Sequence, residues 1–369
     1  MLRLVAIGTL LALALSGLRA DDKPGRAEQL KAIRADYAKA HEDFGKGIKD
    51  GTIKRNAEDE YPGWADVLKR LVKPTRLVID ADPADALGLE ALLFALGALE
   101  AADADLFALA LKHHAASEKI KPLLGLDAAP TEFLRKVAER SPHIWLRLRA
   151  AYHLADREYA AGKPDDAEKL LEDLQRNPAF WGLRSNDRWL GDRVETLFYE
   201  VRYLNVGDVP PEVTGDDLDG KPFKLSDSRG KVTLLIFWAA YRRPCLDTVG
   251  HGVELAARYA GRPFTVVGVN GDPLPGGNLT VHGTDGKPVD GTAKLKALVQ
   301  TNKITWRSFR HGQFGAGEDT GIGDKWNVNT WPTAYLLDEA GVIRGKWKGT
   351  PTKELDAAIE KLVKATEAK

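Results

Sequence analysis

In the first half of the chain apolar residues recur at helical spacing. In the second half they gather into short unbroken runs. Between 27 and 50, Leu30, Ile33, Tyr37, Ala40 and Phe44 fall three to four residues apart with charges on the opposite face, which predicts a one-sided amphipathic helix. The pattern restarts over 64–72. Residues 83–101, dense in alanine and leucine, predict a helix buried between others. Short helical pieces follow at 103–111, 120–124 and 131–139, punctuated by Pro122, Gly125 and Pro130. A long amphipathic helix over 143–161 is stopped by Gly162-Lys163-Pro164, a second helix occupies 165–176 as its hairpin partner, and another runs over 187–204. Up to 204, strand signals are nearly absent.

After the Pro/Gly-bearing stretch 205–211 the pattern changes to strands alternating with helices. Residues 217–225 predict a small hairpin turning at Asp219-Gly220. The run 232–238 is apolar almost throughout and predicts a strand covered on both faces. A short turn over 239–243 then delivers Pro244 and Cys245 onto a helix start, and the helix continues over 248–259. The next run, 264–270, is reached through that helix, so the right-handed crossover rule predicts that it pairs parallel with the first. Residues 272–291, rich in glycine and proline, predict an exposed insertion. A helix over 293–302, a strand over 330–338, a turn at 339–341, a strand over 342–348 and a closing helix over 353–363 complete the chain.

Composition narrows the classes. Lysine plus arginine equals aspartate plus glutamate, 53 each, so no global field draws in nucleic acid or anionic lipid. Arg3, the apolar segment 4–15 and the small residues before Asp21 predict a cleavable secretory signal over 1–20, because that segment is too short to span a bilayer. No later segment is apolar and long enough to span, so the expected location is periplasmic or extracellular. The length predicts two domains, a helical one over 21–205 and a second over 206–369. Only one cysteine is encoded, so no internal disulfide forms. His113 and His114 are adjacent, point to different sides of a helix and have no acid or histidine one turn on, so no metal site is expected there. No cofactor is expected.

The run Phe237-Trp238-Ala239-Ala240-Tyr241-Arg242-Arg243-Pro244-Cys245 resembles the Phe-Trp-Ala-x-Trp-Cys-x-Pro-Cys corner of thioredoxin-fold proteins of the TlpA and redoxin (AhpC/TSA) type. The segments 218–221, 230–232, 332–333 and 338–343 agree with that family in order and spacing, so the resemblance covers roughly 206–369. It implies an α + α/β architecture: an all-helical N-terminal domain, with a hairpin at 143–176 of the size of one tetratricopeptide-like repeat, then a thioredoxin-like α/β domain. It also implies that Trp331-Pro332 is a cis bond facing the corner, with Thr333 following, and that Tyr241, Trp331 and Trp238 line a groove for an extended polypeptide, unless Trp238 is core.

In active members the first cysteine attacks a disulfide and the second resolves the mixed disulfide. Here Arg242 stands at the first position and Cys245 at the second, so dithiol exchange within the chain is not expected. Two readings follow. In one the protein holds an extended polypeptide or a thiol protein without dithiol chemistry, Cys245 being a buried, inert residue. In the other Cys245 works as a monothiol, its thiolate favoured by Arg242 and Arg243, with an external thiol resolving it. The two arginines at a helix start point either to a bound anion or carboxylate partner or to plain solvation. Residues 239–242 offer neither the threonine nor the thiol of a peroxidatic turn. His251, close after Cys245, is either a candidate to influence the thiol or a plain surface residue of the helix.

Overall fold

The structure, a computed structural model, describes residues 25–54, 63–184, 188–272, 291–310, 321–350 and 353–369. The expected signal at 1–20 lies outside these residues, as does the expected insertion between 273 and 290. Contacts divide the chain into two compact units, 1–157 with 172–183 and 158–171 with 184–369.

The first unit is helical. Helix α1 (Arg26–Lys49) buries Leu30 and Ile33, and α2 (Trp64–Ala81) buries Leu68, Leu71, Val78 and Ile79. The sequence pattern ended α2 at 72, yet the helix continues through Pro74. Its buried stripe runs on through Thr75, Val78 and Ile79, and that packing outweighs a proline cost of about 3 kcal/mol. Arg26 reinforces the far end of α2, donating to the carbonyls of Val78 at 2.9 Å and Asp82 at 2.8 Å and to the Asp85 carboxylate at 2.7 Å. Asp85 in turn caps α3 (Ala86–Leu93) by accepting the Gly88 N–H at 2.6 Å. One π turn, Phe94–Ala98, closes what the pattern presented as a single helix over 83–101. Helices α4 (Ala104–His114), α5 (Lys121–Leu124) and α6 (Thr131–Arg140) follow as expected. His114 is buried with Nε2 2.7 Å from the Pro83 carbonyl oxygen, so that ring is engaged by backbone.

Helices α7 (Ile144–Ala160) and α8 (Pro164–Arg176) occupy the two segments expected to be helical there, and the division between the units falls within each of them. A short helix α9 (Pro178–Arg184) was not signalled by the pattern. Helix α10 (Arg188–Tyr203) is counted with the second unit, whereas the composition change placed the junction at 205/206. The physical reason is a buried ion pair: Glu200 of α10 accepts from Lys346 and also from Asn327 Nδ2 at 2.5 Å.

The second unit is built on a five-stranded sheet whose strands lie side by side in the order Ser308–Arg310, Phe264–Asn270, Val232–Trp238, Thr333–Leu337 and Ile343–Lys348. A separate hairpin, β1 (Thr214–Asp216) and β2 (Pro222–Lys224), precedes it. Strand β3 (Val232–Trp238) is buried at every position, as its apolar run dictates. Helix α11 (Arg243–Arg258) crosses over to β4 (Phe264–Asn270), which pairs parallel with β3. After α12 (Gly291–Thr301) comes β5 (Ser308–Arg310), a parallel edge strand too short to show a period in sequence. Phe309 stacks on Phe223 of β2 at 3.7 Å, and Arg307 Nε donates to Asp217 at 2.8 Å, so hairpin and edge strand are fastened together. A short helix α13 (Ile322–Lys325) leads to β6 (Thr333–Leu337), antiparallel to β3, then β7 (Ile343–Lys348) and the closing α14 (Lys353–Glu367).

Candidate functional site

The register of the central strands brings three connections together at one end of the sheet. Phe237 lies opposite Thr333 and Trp238 opposite Asn270, so the turn after β3, the segment after β4 and the entry to β6 leave the sheet side by side. The Gly271 N–H donates to the Trp238 carbonyl at 2.9 Å, and the Trp331 ring covers Gly271 so closely that a Cβ there would stand 2.5 Å from Cη2. Only glycine fits beneath that ring. The Trp331-Pro332 bond is cis, as the resemblance implies, and the Pro332 carbonyl accepts the Gly349 N–H at 2.9 Å.

The turn itself is held by a carboxylate. Asp272 accepts the Ala240 N–H at 2.7 Å, the Tyr241 N–H at 3.4 Å and Asn270 Nδ2 at 2.6 Å. Arg242 is the N-cap of α11 and offers no side-chain cap; Pro244 lies in the first turn, where a missing N–H costs nothing. The Cys245 N–H returns to the Arg242 carbonyl at 3.0 Å, which seats the sulfur on the inner side of the helix.

Cys245 is 0 % exposed. Burial pushes its thiol pKa up; the Ala239 backbone and the Arg242 charge pull down, the Asp272 carboxylate pushes up, and the net shift is upward. The thiolate is therefore disfavoured, and the sulfur is shielded from an incoming disulfide. Tyr241 by contrast is 58 % exposed, and Arg242 and Arg243 are exposed beside it. The Arg242 guanidinium sits 5.7 Å from the centre of the Tyr241 ring.

Two expectations change. Trp238 does not line a groove: it is 0 % exposed and its indole nitrogen lies against Gly268, because β3 is covered on both faces to its last residue. His251 is turned to α14, with Nε2 2.6 Å from Asp356 Oδ1. Trp331, 8 % exposed, presents only an edge, and Pro332 and Thr333 are buried. The outward face of the corner is thus Tyr241, Arg242, Arg243 and part of Pro244. Asp272 was missed as a site residue because it opens the stretch read as an insertion. The Asn270-Gly271-Asp272 sequence at the end of a buried strand, on the same sheet end as the corner, was the available signal.

Residues 206–346 match the AhpC/TSA family. Thioredoxin-like protein YneN of Bacillus subtilis (strain 168) is 30% identical over 151 residues, which are 41% of this chain and 76% of that protein. Thiol-disulfide oxidoreductase ResA of Bacillus cereus is 22% identical over 167 residues, 45% of this chain and 83% of its own. A solved structure, the thioredoxin domain of a thiol-disulfide oxidoreductase from Bacteroides vulgatus, aligns at 22% identity and a TM-score of 0.33 over 43% of this chain and 99% of that one.

Proposed function

The chain belongs to the AhpC/TSA family of thioredoxin-like proteins through residues 206–346, and from that premise we propose that it is an exported member without dithiol catalysis that holds an extended polypeptide at its corner. The observation that carries the reading is the pairing of Arg242 with a buried Cys245. Two-electron thiol-disulfide exchange within one chain needs an accessible attacking sulfur and a second sulfur to resolve it. Here the first position is a guanidinium and the second sulfur is covered, with its pKa raised. What the corner retains is a surface: an exposed aromatic ring and two exposed cations. Export rests on the apolar segment 4–15. Among the described residues no helix is long and apolar enough to cross a membrane.

One observation favours a second reading, a monothiol oxidoreductase: the Ala239 backbone and the Arg242 charge both act to stabilise a Cys245 thiolate. That thiolate would attack a substrate disulfide, form a mixed disulfide and expel one substrate thiolate. Glutathione thiolate would then attack the Cys245 sulfur and displace the second substrate thiolate. A second glutathione would free Cys245, leaving as oxidised glutathione. Insulin reduction with glutathione as the resolving thiol separates the readings. The first expects no turnover above buffer in the wild type and none in Cys245→Ser. Turnover that disappears in Cys245→Ser would establish the second.

A further inference from the structure

Several arginines of the second unit are paired. Arg262 is held by Glu367 at 2.7 Å, Arg307 by Asp217 at 2.8 Å and Arg344 by Asp338 at 2.6 Å. Arg242 and Arg243 differ: neither guanidinium has a carboxylate partner among the described residues, and the first turn of α11 contains no acid. Both stand where the helix dipole is positive, so each is disfavoured there when unpaired. The Asp272 carboxylate of the same corner is committed to the Ala240 and Tyr241 N–H groups and Asn270. The rim of the corner is therefore two exposed guanidiniums without an ion-pair partner among the described residues, beside a tyrosine that is 58 % exposed.

We propose that the segment held at this corner is acidic: an extended polypeptide whose aspartate or glutamate side chains fork onto Arg242 and Arg243 while an adjacent residue packs on the Tyr241 ring. The inference rests on the polypeptide-holding reading and adds the chemical class of the partner. Charge complementarity selects it. Guanidinium matches a carboxylate two hydrogen bonds at a time, and an incoming acid supplies the negative charge that the helix start lacks. Tyrosine gives rigid contact area at low entropic cost. A basic segment would meet like charges at both positions, which excludes it by repulsion as well as by lost contacts.

The test is an array of immobilised, cysteine-free decapeptides of varied sequence probed with the full chain. The wild type is expected to retain peptides enriched in aspartate and glutamate, with binding falling as NaCl rises from about 50 to about 300 mM. In Arg242→Gln/Arg243→Gln retention of the acidic peptides is expected to fall about tenfold, and in Arg242→Glu/Arg243→Glu the preference is expected to shift to lysine-bearing peptides. Both arginines are exposed, so the fold is expected to survive, which circular dichroism checks. Retention of peptides without acidic enrichment, or unchanged by the double variants, overturns the inference and leaves the polypeptide reading standing. Retention of no peptide by the wild type overturns both.

Discussion

Removing the Glu200 carboxylate should loosen α10 from the sheet. Glu200 is 2 % exposed, and its two oxygens are divided between the Lys346 ammonium and the Asn327 amide, the latter at 2.5 Å. Lys346 is itself largely covered, its side chain 16 % exposed, with its nitrogen 5.0 Å from the centre of the Tyr335 ring. At an effective dielectric of about 20, opposite charges about 3 Å apart attract by about 5 kcal/mol, a gain set against the desolvation of both ions. Truncation therefore exposes the other side of that balance: Glu200→Ala takes the carboxylate away from a largely covered ammonium and from the Asn327 amide, which costs about 3–5 kcal/mol. For a unit of this size each kcal/mol moves the melting point by about 2–4 °C, so the expected shift is about 6–20 °C. The double replacement Glu200→Met/Lys346→Met removes both ions together and should lie within about 1 kcal/mol of the wild type, or above it. Calorimetry of the three proteins gives the coupling. A loss below about 1 kcal/mol in Glu200→Ala, or a double variant as unstable as the single, would refute the claim that a desolvated charge pair fastens this helix.

Three further outcomes are expected. Burial and the 2.6 Å bond to Glu360 push the Tyr259 pKa up to about 12 from an unfolded value of 10.0, so the stability it contributes is complete below pH 10 and is lost as pH rises through 12; in Tyr259→Phe that alkaline fall should flatten in urea titrations. Gly271→Ala drives a Cβ to 2.5 Å from the Trp331 ring and should cost about 1–3 kcal/mol, with Gly271→Ala/Trp331→Leu recovering part of it in the same assay. Arg242→Cys restores a two-sulfur corner, with the new thiol exposed at a helix start, and should acquire dithiothreitol-dependent insulin reduction that Cys245→Ser abolishes.

The sheet was legible where the chain spends seven consecutive residues in a covered strand. The runs forming β3 and β4 have no exposed position to interrupt them, and the single helix between them fixes their parallel pairing. Strand β5 was illegible because three residues, Ser308 to Arg310, carry no period, and its place is set by Phe309 on Phe223 and Arg307 on Asp217, partners more than eighty positions away. Helix α2 was cut short because Pro74 is a local stop signal that only tertiary packing overrules. At the site, residue types named the corner, but its facing was decided by packing. Trp238 was open to either a groove or a core reading and is sealed in the sheet, while Tyr241 stands in solvent. Nothing local in the sequence reveals that Glu200 and Lys346 meet across 146 residues.

The carboxylate of Asp272 has a final implication for what the corner can recognise. Tethered to the backbone it serves, it acts as a permanent intramolecular guest whose local concentration no free peptide matches. A visiting carbonyl or sulfur that sought the amides of Ala240 and Tyr241 would have to evict it. Recognition is thereby displaced outward, from a main-chain socket common to any polypeptide to side chains that can tell one sequence from another.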